Sequence, residues 1–362
     1  MLDGKRRASH RDRQTVVALV LAVVAASCGD FAGPTPVESP TPWPVTGFPA
    51  LPEIMNDVPE ARIELGHLLF FDPILSVDHE TACATCHSEI WGMGDGIPRA
   101  IGHGAGLDAG PRREGPNVLR RNSPALYNLA FRPSLLWDGR ERSLEEQALI
   151  PLLGEEEMAA DREVLLAELS RIPEYVALFE TAFPEEPRVT IENLTAALAA
   201  YERTFISNRS TYDAYLEGRP ELMNAEQVEG MYRFAAMGCD DCHTPPLFES
   251  ETFANRNVPE VEGIVDHGVE ERTGRPEDRG KFRAVSLRNL SSTGPYFHNG
   301  SIEPATDAIR HELEQTGIPF TDEDVRLIKL FIDKTLRDET HEAIRPVTVP
   351  SGLALPIDPA GP

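Results

Sequence analysis

The chain has 362 residues and a formal net charge of −25. That length allows two domains of ordinary size, each with a hydrophobic core of its own. A surface this acidic excludes nucleic acid and anionic membrane as partners, and it would attract a basic protein. The same acidity is also compatible with an exported protein that is simply kept soluble.

The first 28 residues predict an export signal. Five basic residues precede an apolar run over residues 15–26, which is too short to span a bilayer. The small residues up to Ser27, followed by Cys28, resemble a bacterial lipoprotein signal in which Cys28 is lipidated. Ala25 stands where such signals usually have Leu, so ordinary cleavage is the alternative. We expect a periplasmic protein that touches the membrane only through a lipid on Cys28.

The rest of the chain divides into four further segments. Residues 29–52 form a Pro-rich linker, residues 53–215 and 216–345 two domains, and residues 346–362 a Pro-rich tail that we expect to be mobile. Helical periodicity and capping residues predict helices over residues 59–71, 161–172, 173–183, 190–205, 225–237 and 321–336, and a further one that begins at Ser143. Strands are scarce and residues 244–295 read mostly as loop. The predicted class is all-α, with long loops.

One short motif occurs in each predicted domain. Its two copies are Cys83-Ala84-Thr85-Cys86-His87 and Cys239-Asp240-Asp241-Cys242-His243. This spacing is typical of covalent haem attachment, in which two thiols form thioethers and the following His binds the iron. The alternatives are two disulfides or one four-Cys zinc site. Zinc ribbons keep their halves much closer together, and disulfides leave the two His unexplained. The sequence therefore predicts two c-type haems.

Further stretches, in a fixed order over about residues 60–335, resemble the bacterial di-haem cytochrome c peroxidases and their relative MauG. The matching stretches are Leu65–Pro73, Gly94–Gly96, Ile101–Gly104, Arg121–Pro124, Trp137–Arg140, Ser143–Ala148, Tyr201–Thr204, Ser286–Asn289 and Pro295–Gly300. The resemblance implies two cytochrome c-like haem domains, of which the N-terminal one is peroxidatic and the C-terminal one transfers electrons.

The resemblance also implies roles for residues around the first haem. His103 would be its movable sixth ligand, and Trp137 would lie between the two haems as a bridge for electrons. Glu157 would be the peroxidatic acid, with Gln147 nearby. In a haem pocket the pKa of Glu157 could be raised enough for it to carry a proton near neutral pH.

The second haem departs from the peroxidase pattern. Peroxidases use Met as its sixth ligand, but this chain has no Met after Met237. MauG uses a Tyr, and Tyr296 lies in a different motif. In the matching segment, imidazole is the better iron ligand, so we favour His311, with Glu312 as runner-up and an open position third.

The family commonly holds a calcium ion at the domain interface. By resemblance, Asn122 and the backbone carbonyls of Thr293 and Pro295 would help to bind it. These residues could equally form turns.

Three functions fit these observations. The first is reduction of hydrogen peroxide to water, with electrons from a small donor protein such as a cytochrome c or a cupredoxin, and a homodimer is compatible with it. The second is a MauG-like oxidation of Trp or Tyr in a partner protein, which the missing Met favours. The third, a non-enzymatic electron carrier, has no need of Glu157 and Gln147.

Overall fold

The computed structural model describes residues 41–43, 58–340 and 344–358. The predicted signal, most of the linker and Cys28 lie outside these ranges. Within them the chain is mostly helical, which confirms the all-α class, and none of its helices is long and apolar enough to cross a membrane.

The helices are numbered in chain order. They are α1 (Glu60–Phe71), α2 (Cys83–Cys86), α3 (Leu144–Leu153), α4 (Arg162–Leu169), α5 (Pro173–Ala182), α6 (Ile191–Glu202), α7 (Thr211–Leu216), α8 (Ala225–Ala236), α9 (Glu270–Thr273), α10 (Ala305–Thr316) and α11 (Asp322–Thr335). Strands β1 (Phe253–Ala254) and β2 (Phe282–Arg283) pair antiparallel, with Phe253 opposite Arg283.

Capping residues begin the predicted helices where the sequence indicates. The hydroxyl oxygen of Ser143 accepts from the Glu146 backbone N–H at α3, and that of Thr190 accepts from the Asn193 N–H at α6. Each bond satisfies a backbone donor that the first helical turn leaves unpaired. Helix α10 was not predicted, although the segment it occupies was singled out for the second haem.

The first core forms around the crossing of α1 and α6. A Cβ added at Gly66 would lie only 1.9 Å from the carbonyl oxygen of Ala197, so the two helices can approach this closely only with glycine. The rings of Phe70, Tyr201 and Phe205 pack edge to face beside this crossing.

The second core repeats this arrangement with α8 and α11. A Cβ at Gly230 would lie 2.2 Å from the carbonyl oxygen of Leu327. Phe234 and Phe331 pack beside the crossing, and Trp43 from the Pro-rich linker joins them. The Nε1–H of Trp43 donates to the Tyr212 hydroxyl at 2.7 Å, so this part of the linker belongs to the second core.

Residues 344–358 pack against the first core, and the expectation of a mobile tail is wrong for them. Val349 is buried there. The Ser351 hydroxyl donates to Asp72 Oδ1 at 2.6 Å, and Arg345 pairs with Glu89 at 2.8 Å. Side chains supply these contacts, and the backbone of Ile357 adds a bridge to Asp108.

Candidate haem sites

The first motif lines a cavity of about 770 Å³, which lies between the C-terminal end of α2 and helices α3 and α6. Cys83, Cys86 and His87 all line it. The Nδ1 atom of His87 lies 2.9 Å from the carbonyl oxygen of Met93, which can only accept a hydrogen bond. Nδ1 therefore carries the proton, and the lone pair of Nε2 is left to bind a metal. Burial lowers the pKa of His87 to about 4, so the ring is neutral.

The second motif likewise lines a cavity, of about 450 Å³, through Cys239, Cys242 and His243. The His243 Nδ1 lies 3.0 Å from the Val285 carbonyl oxygen and 3.3 Å from that of Phe248. Burial lowers the pKa of this His as well. Both His rings are thus held in the tautomer that an iron ligand needs.

The two motifs lie apart in the fold, since Cys83 and Cys86 line one cavity and Cys239 and Cys242 another. All four motif thiols are free in the structure. Two separate Cys-Cys-His sets fit two attachment sites better than one four-Cys zinc site. Two cavities of ligand-pocket size, each with two thiols and an oriented neutral His at its wall, fit one covalently attached haem apiece.

Gln147 and Glu157 both line the first cavity. The Gln147 Oε1 atom is buried without a hydrogen-bond partner, as expected for a group that faces a missing ligand. Burial raises the pKa of Glu157 above its usual range, while the charge of Arg140 opposes this and that of Glu156 adds to it. Glu157 is available to exchange a proton with a molecule in the cavity, and the Gln147 amide is available to form a hydrogen bond with it.

Glu202 is a further acid at this cavity that the sequence analysis did not single out. It is buried, its Oε2 atom has no hydrogen-bond partner, and burial raises its pKa to about 8. The helical spacing could have identified it, because Leu198 and Glu202 are one turn apart on α6 and both face the cavity.

His103 does not line the first cavity. Its Nε2 atom lies 3.1 Å from the Glu155 carbonyl oxygen and 3.0 Å from Asn117 Nδ2, and its backbone N–H donates to the Glu157 carbonyl at 2.7 Å. Its role as a movable ligand stays a prediction.

Trp137 lines both cavities, so its ring forms part of the wall that they share. Its Nε1–H donates to the Asn122 carbonyl oxygen at 2.9 Å, and the centre of its ring lies 6.5 Å from that of the His298 ring. His298 in turn stacks on Phe282 at 3.6 Å. Trp137 therefore lies between the first cavity and a stacked aromatic pair on the wall of the second.

Helix α10 brings Glu312, and not His311, to the second cavity. Glu312 pairs with Arg256, another lining residue, at 2.7 Å. The His311 Nε2 lies 2.8 Å from the Arg256 carbonyl oxygen, and its ring packs against Phe297. Of the two candidate ligands, only Glu312 lines this cavity, and ligation of the second haem by either residue stays a prediction.

The three residues implied for calcium all line the second cavity. Asn122 donates through its Nδ2 to the Ile97 carbonyl at 2.9 Å, which fixes the plane of its amide. Bound calcium stays a prediction.

Comparison with known proteins agrees with this geometry. The sequence pattern of the family described as di-haem cytochrome c peroxidase matches residues 60–221. Cytochrome c551 peroxidase of Pseudomonas aeruginosa is 34% identical over 273 residues, which cover 72% of this chain and 76% of that protein. Methylamine utilization protein MauG of Methylorubrum extorquens is 30% identical over 272 residues, with 72% and 70% covered.

A solved structure is also similar. It is the crystal structure of a MauG-like protein associated with microbial copper homeostasis, with a TM-score of 0.67 and 25% identity over 86% of this chain and 96% of that one. The chain therefore belongs to the di-haem cytochrome c peroxidase family, whose members named as cytochrome c peroxidases are oxidoreductases that use peroxide.

Proposed function

We propose that the chain reduces hydrogen peroxide to water at the first cavity, with electrons that enter at the second cavity from a small redox protein. The observation that carries this proposal is the asymmetry of the two cavities. Gln147 and Glu157 line the first and not the second, while Trp137 lines both. One cavity is thus equipped for proton transfer, and the shared wall is equipped to pass electrons to it.

Each residue at the first cavity has a defined task in this proposal. A bound haem supplies one-electron chemistry and an iron position at which peroxide can bind. Glu157 accepts a proton from one peroxide oxygen and returns it to the other, for which its raised pKa is suited. Gln147 orients the peroxide through its side-chain amide. Glu202, protonated near neutral pH, holds a second proton inside the cavity.

The second cavity is the reason to keep a MauG-like activity as the alternative. The chain has no Met after Met237, and Glu312 stands on the cavity wall. A carboxylate favours ferric iron and lowers the potential that a Met would raise. Such a haem is harder to reduce, which favours withdrawal of electrons from a Trp or Tyr of a partner protein.

The remaining parts of the proposal concern surroundings. The acidic surface suits a basic donor, a cytochrome c or a cupredoxin. We propose export to the periplasm with a lipid on Cys28, and a calcium ion held by Asn122 and the carbonyls of Thr293 and Pro295. Oxygen donors of this kind suit that cation.

Steady-state peroxide consumption tests the proposal. The holoprotein is mixed with peroxide and a reduced small cytochrome or cupredoxin, and oxidation of the donor is followed by absorbance. We expect two donor molecules oxidised for each peroxide consumed. Failure of every donor, together with peroxide-driven oxidation of Trp or Tyr in a partner protein, would support the MauG-like alternative instead.

A further inference from the structure

A buried arginine lies behind the loop that carries His103. Arg113 is only 3% exposed, and all five of its guanidinium N–H groups find an acceptor within 3.0 Å. The acceptors are the carbonyl oxygens of Ile101, Gly102, Gly106 and Asp108 and the hydroxyl of Thr81. One side chain therefore ties both ends of the segment 101–108 to the chain just before the first haem motif.

The C-terminal tail holds the outer side of the same loop. The Ile357 N–H donates to the Leu107 carbonyl at 2.7 Å, and the Ala109 N–H donates to the Ile357 carbonyl at 2.9 Å. The Ser88 hydroxyl donates to Asp358 at 2.9 Å, which ties the end of the tail to the residue after His87. The segment 101–108 is thus hydrogen-bonded to the buried Arg113 on one side and to the tail on the other.

The inner side of the loop meets the rim of the first cavity. A Cβ at Gly102 would lie 1.8 Å from the Glu156 carbonyl oxygen, so the two backbones are in close contact there. The next residue, His103, donates its backbone N–H to the Glu157 carbonyl oxygen. Its imidazole Nε2 lies within hydrogen-bond distance of the Glu155 carbonyl oxygen and of Asn117 Nδ2. Asn117 also donates to the His103 carbonyl at 2.9 Å. The loop backbone is therefore held by Arg113 and the tail, and the His103 ring is held outside the cavity by Glu155 and Asn117.

We propose that Arg113 is a positioning residue of the first haem site, which together with the C-terminal tail keeps the His103 imidazole off the iron. Movement of this loop towards the cavity would have to break the four hydrogen bonds that Arg113 donates to its carbonyl oxygens, and the backbone hydrogen bonds with the tail. The sixth coordination position is then open to peroxide in the oxidised protein, without prior reduction. This inference rests on the proposed function, in that the first cavity is where peroxide binds.

The test compares spin states of the ferric first haem in the full-length holoprotein, by electron paramagnetic resonance. We expect a high-spin signal in the wild type that His103→Ala leaves unchanged. Arg113→Ala should convert most of it to a low-spin, two-imidazole signal, and adding His103→Ala should restore the high-spin signal. Arg112→Ala, at the exposed neighbouring residue, is the matched control and should behave as wild type.

Two results would overturn the inference. The first is a low-spin signal in the wild type that His103→Ala abolishes. This comparison does not depend on whether an Arg113 variant folds. The other is Arg113→Ala protein with two haems and an unchanged high-spin signal. Ile357→Pro, which deletes the tail's donor to Leu107 at a half-exposed residue, should produce part of the same shift.

Turnover separates this inference from the proposed function. The oxidised wild type should consume peroxide at once, and Arg113→Ala should lose about 10-fold or more of that initial rate as the competent fraction falls. Wild-type turnover that begins only after prereduction would overturn the inference and leave the function intact. Absence of turnover in both states, with the expected spin states, would overturn the function alone.

Discussion

Replacement of Glu157 by Gln tests the proton chemistry at the first cavity. The side chain keeps its size and its half-buried place beside the cavity, but it can no longer take up or release a proton. Loss of general acid–base help usually slows a reaction by about 10²- to 10⁴-fold. At about 1.36 kcal/mol for each factor of ten, this equals roughly 2.7–5.4 kcal/mol of transition-state stabilisation. We expect peroxide turnover to fall by 10² or more while both haem spectra stay nearly intact.

The pH dependence of the same variant gives a second measure. Burial raises the pKa of Glu157, so the wild-type rate should fall as the pH drops through that raised value, because a protonated carboxyl cannot accept the peroxide proton. Glu157→Gln should abolish this acidic limb. Steady-state rates over pH measure both effects, and the exposed neighbour Glu155 provides the control Glu155→Gln. Unchanged turnover in Glu157→Gln, or an equal loss in Glu155→Gln, would refute the reasoning.

Three further predictions concern other residues of the two cavities. Trp137→Phe should retain both haems but slow the transfer of electrons between them, measured by stopped-flow absorbance after one haem is reduced. Glu312→Ala should change the spin state of the second haem and His311→Ala should not, and the reverse result in electron paramagnetic resonance would restore the preference for His311. Because its folded pKa lies near 8, above the ordinary value of 4.5, Glu202 favours folding below about pH 4.5 and loses that contribution as the pH rises to 8. Glu202→Gln should therefore flatten the decline of Tm over this window, and an unchanged decline would show that Glu202 is not protonated in the fold.

The haem motifs and most helices could be predicted because their signals are local. Cys and His at fixed spacing require no knowledge of the rest of the chain, and caps such as Ser143 and Thr190 mark helix starts directly. Glu157 and Trp137 came from the resemblance, and both line the cavities expected for them.

The preference for His311 at the second haem was stated without recognising α10 as a helix, and the identity of the ligand stays a prediction. On α10, Glu312 and Leu313 line the second cavity, and His311 does not. Ile309, Glu312, Leu313 and Thr316 recur at helical spacing, and all line it. That pattern would have selected Glu312.

The tail and Arg113 could not be predicted for a different reason. The contacts of the tail join residues far apart in the sequence, such as Ile357 with Leu107 and Ser351 with Asp72. A Pro-rich segment has no hydrophobic periodicity that would predict such contacts. Arg113 carries no motif, and only the fold reveals that four of its five donors bind carbonyls of one loop while the fifth binds Thr81.

The central claim is that two haems in adjoining cavities act together on one peroxide. Its most direct test is a single turnover: the fully reduced holoprotein, without donor, is mixed with one equivalent of peroxide, and both haems are followed by stopped-flow absorbance. Reduction of one peroxide to two waters takes two electrons and two protons, so we predict that both haems become ferric. Oxidation of the first haem alone, with the second still reduced after the peroxide is consumed, would contradict the account.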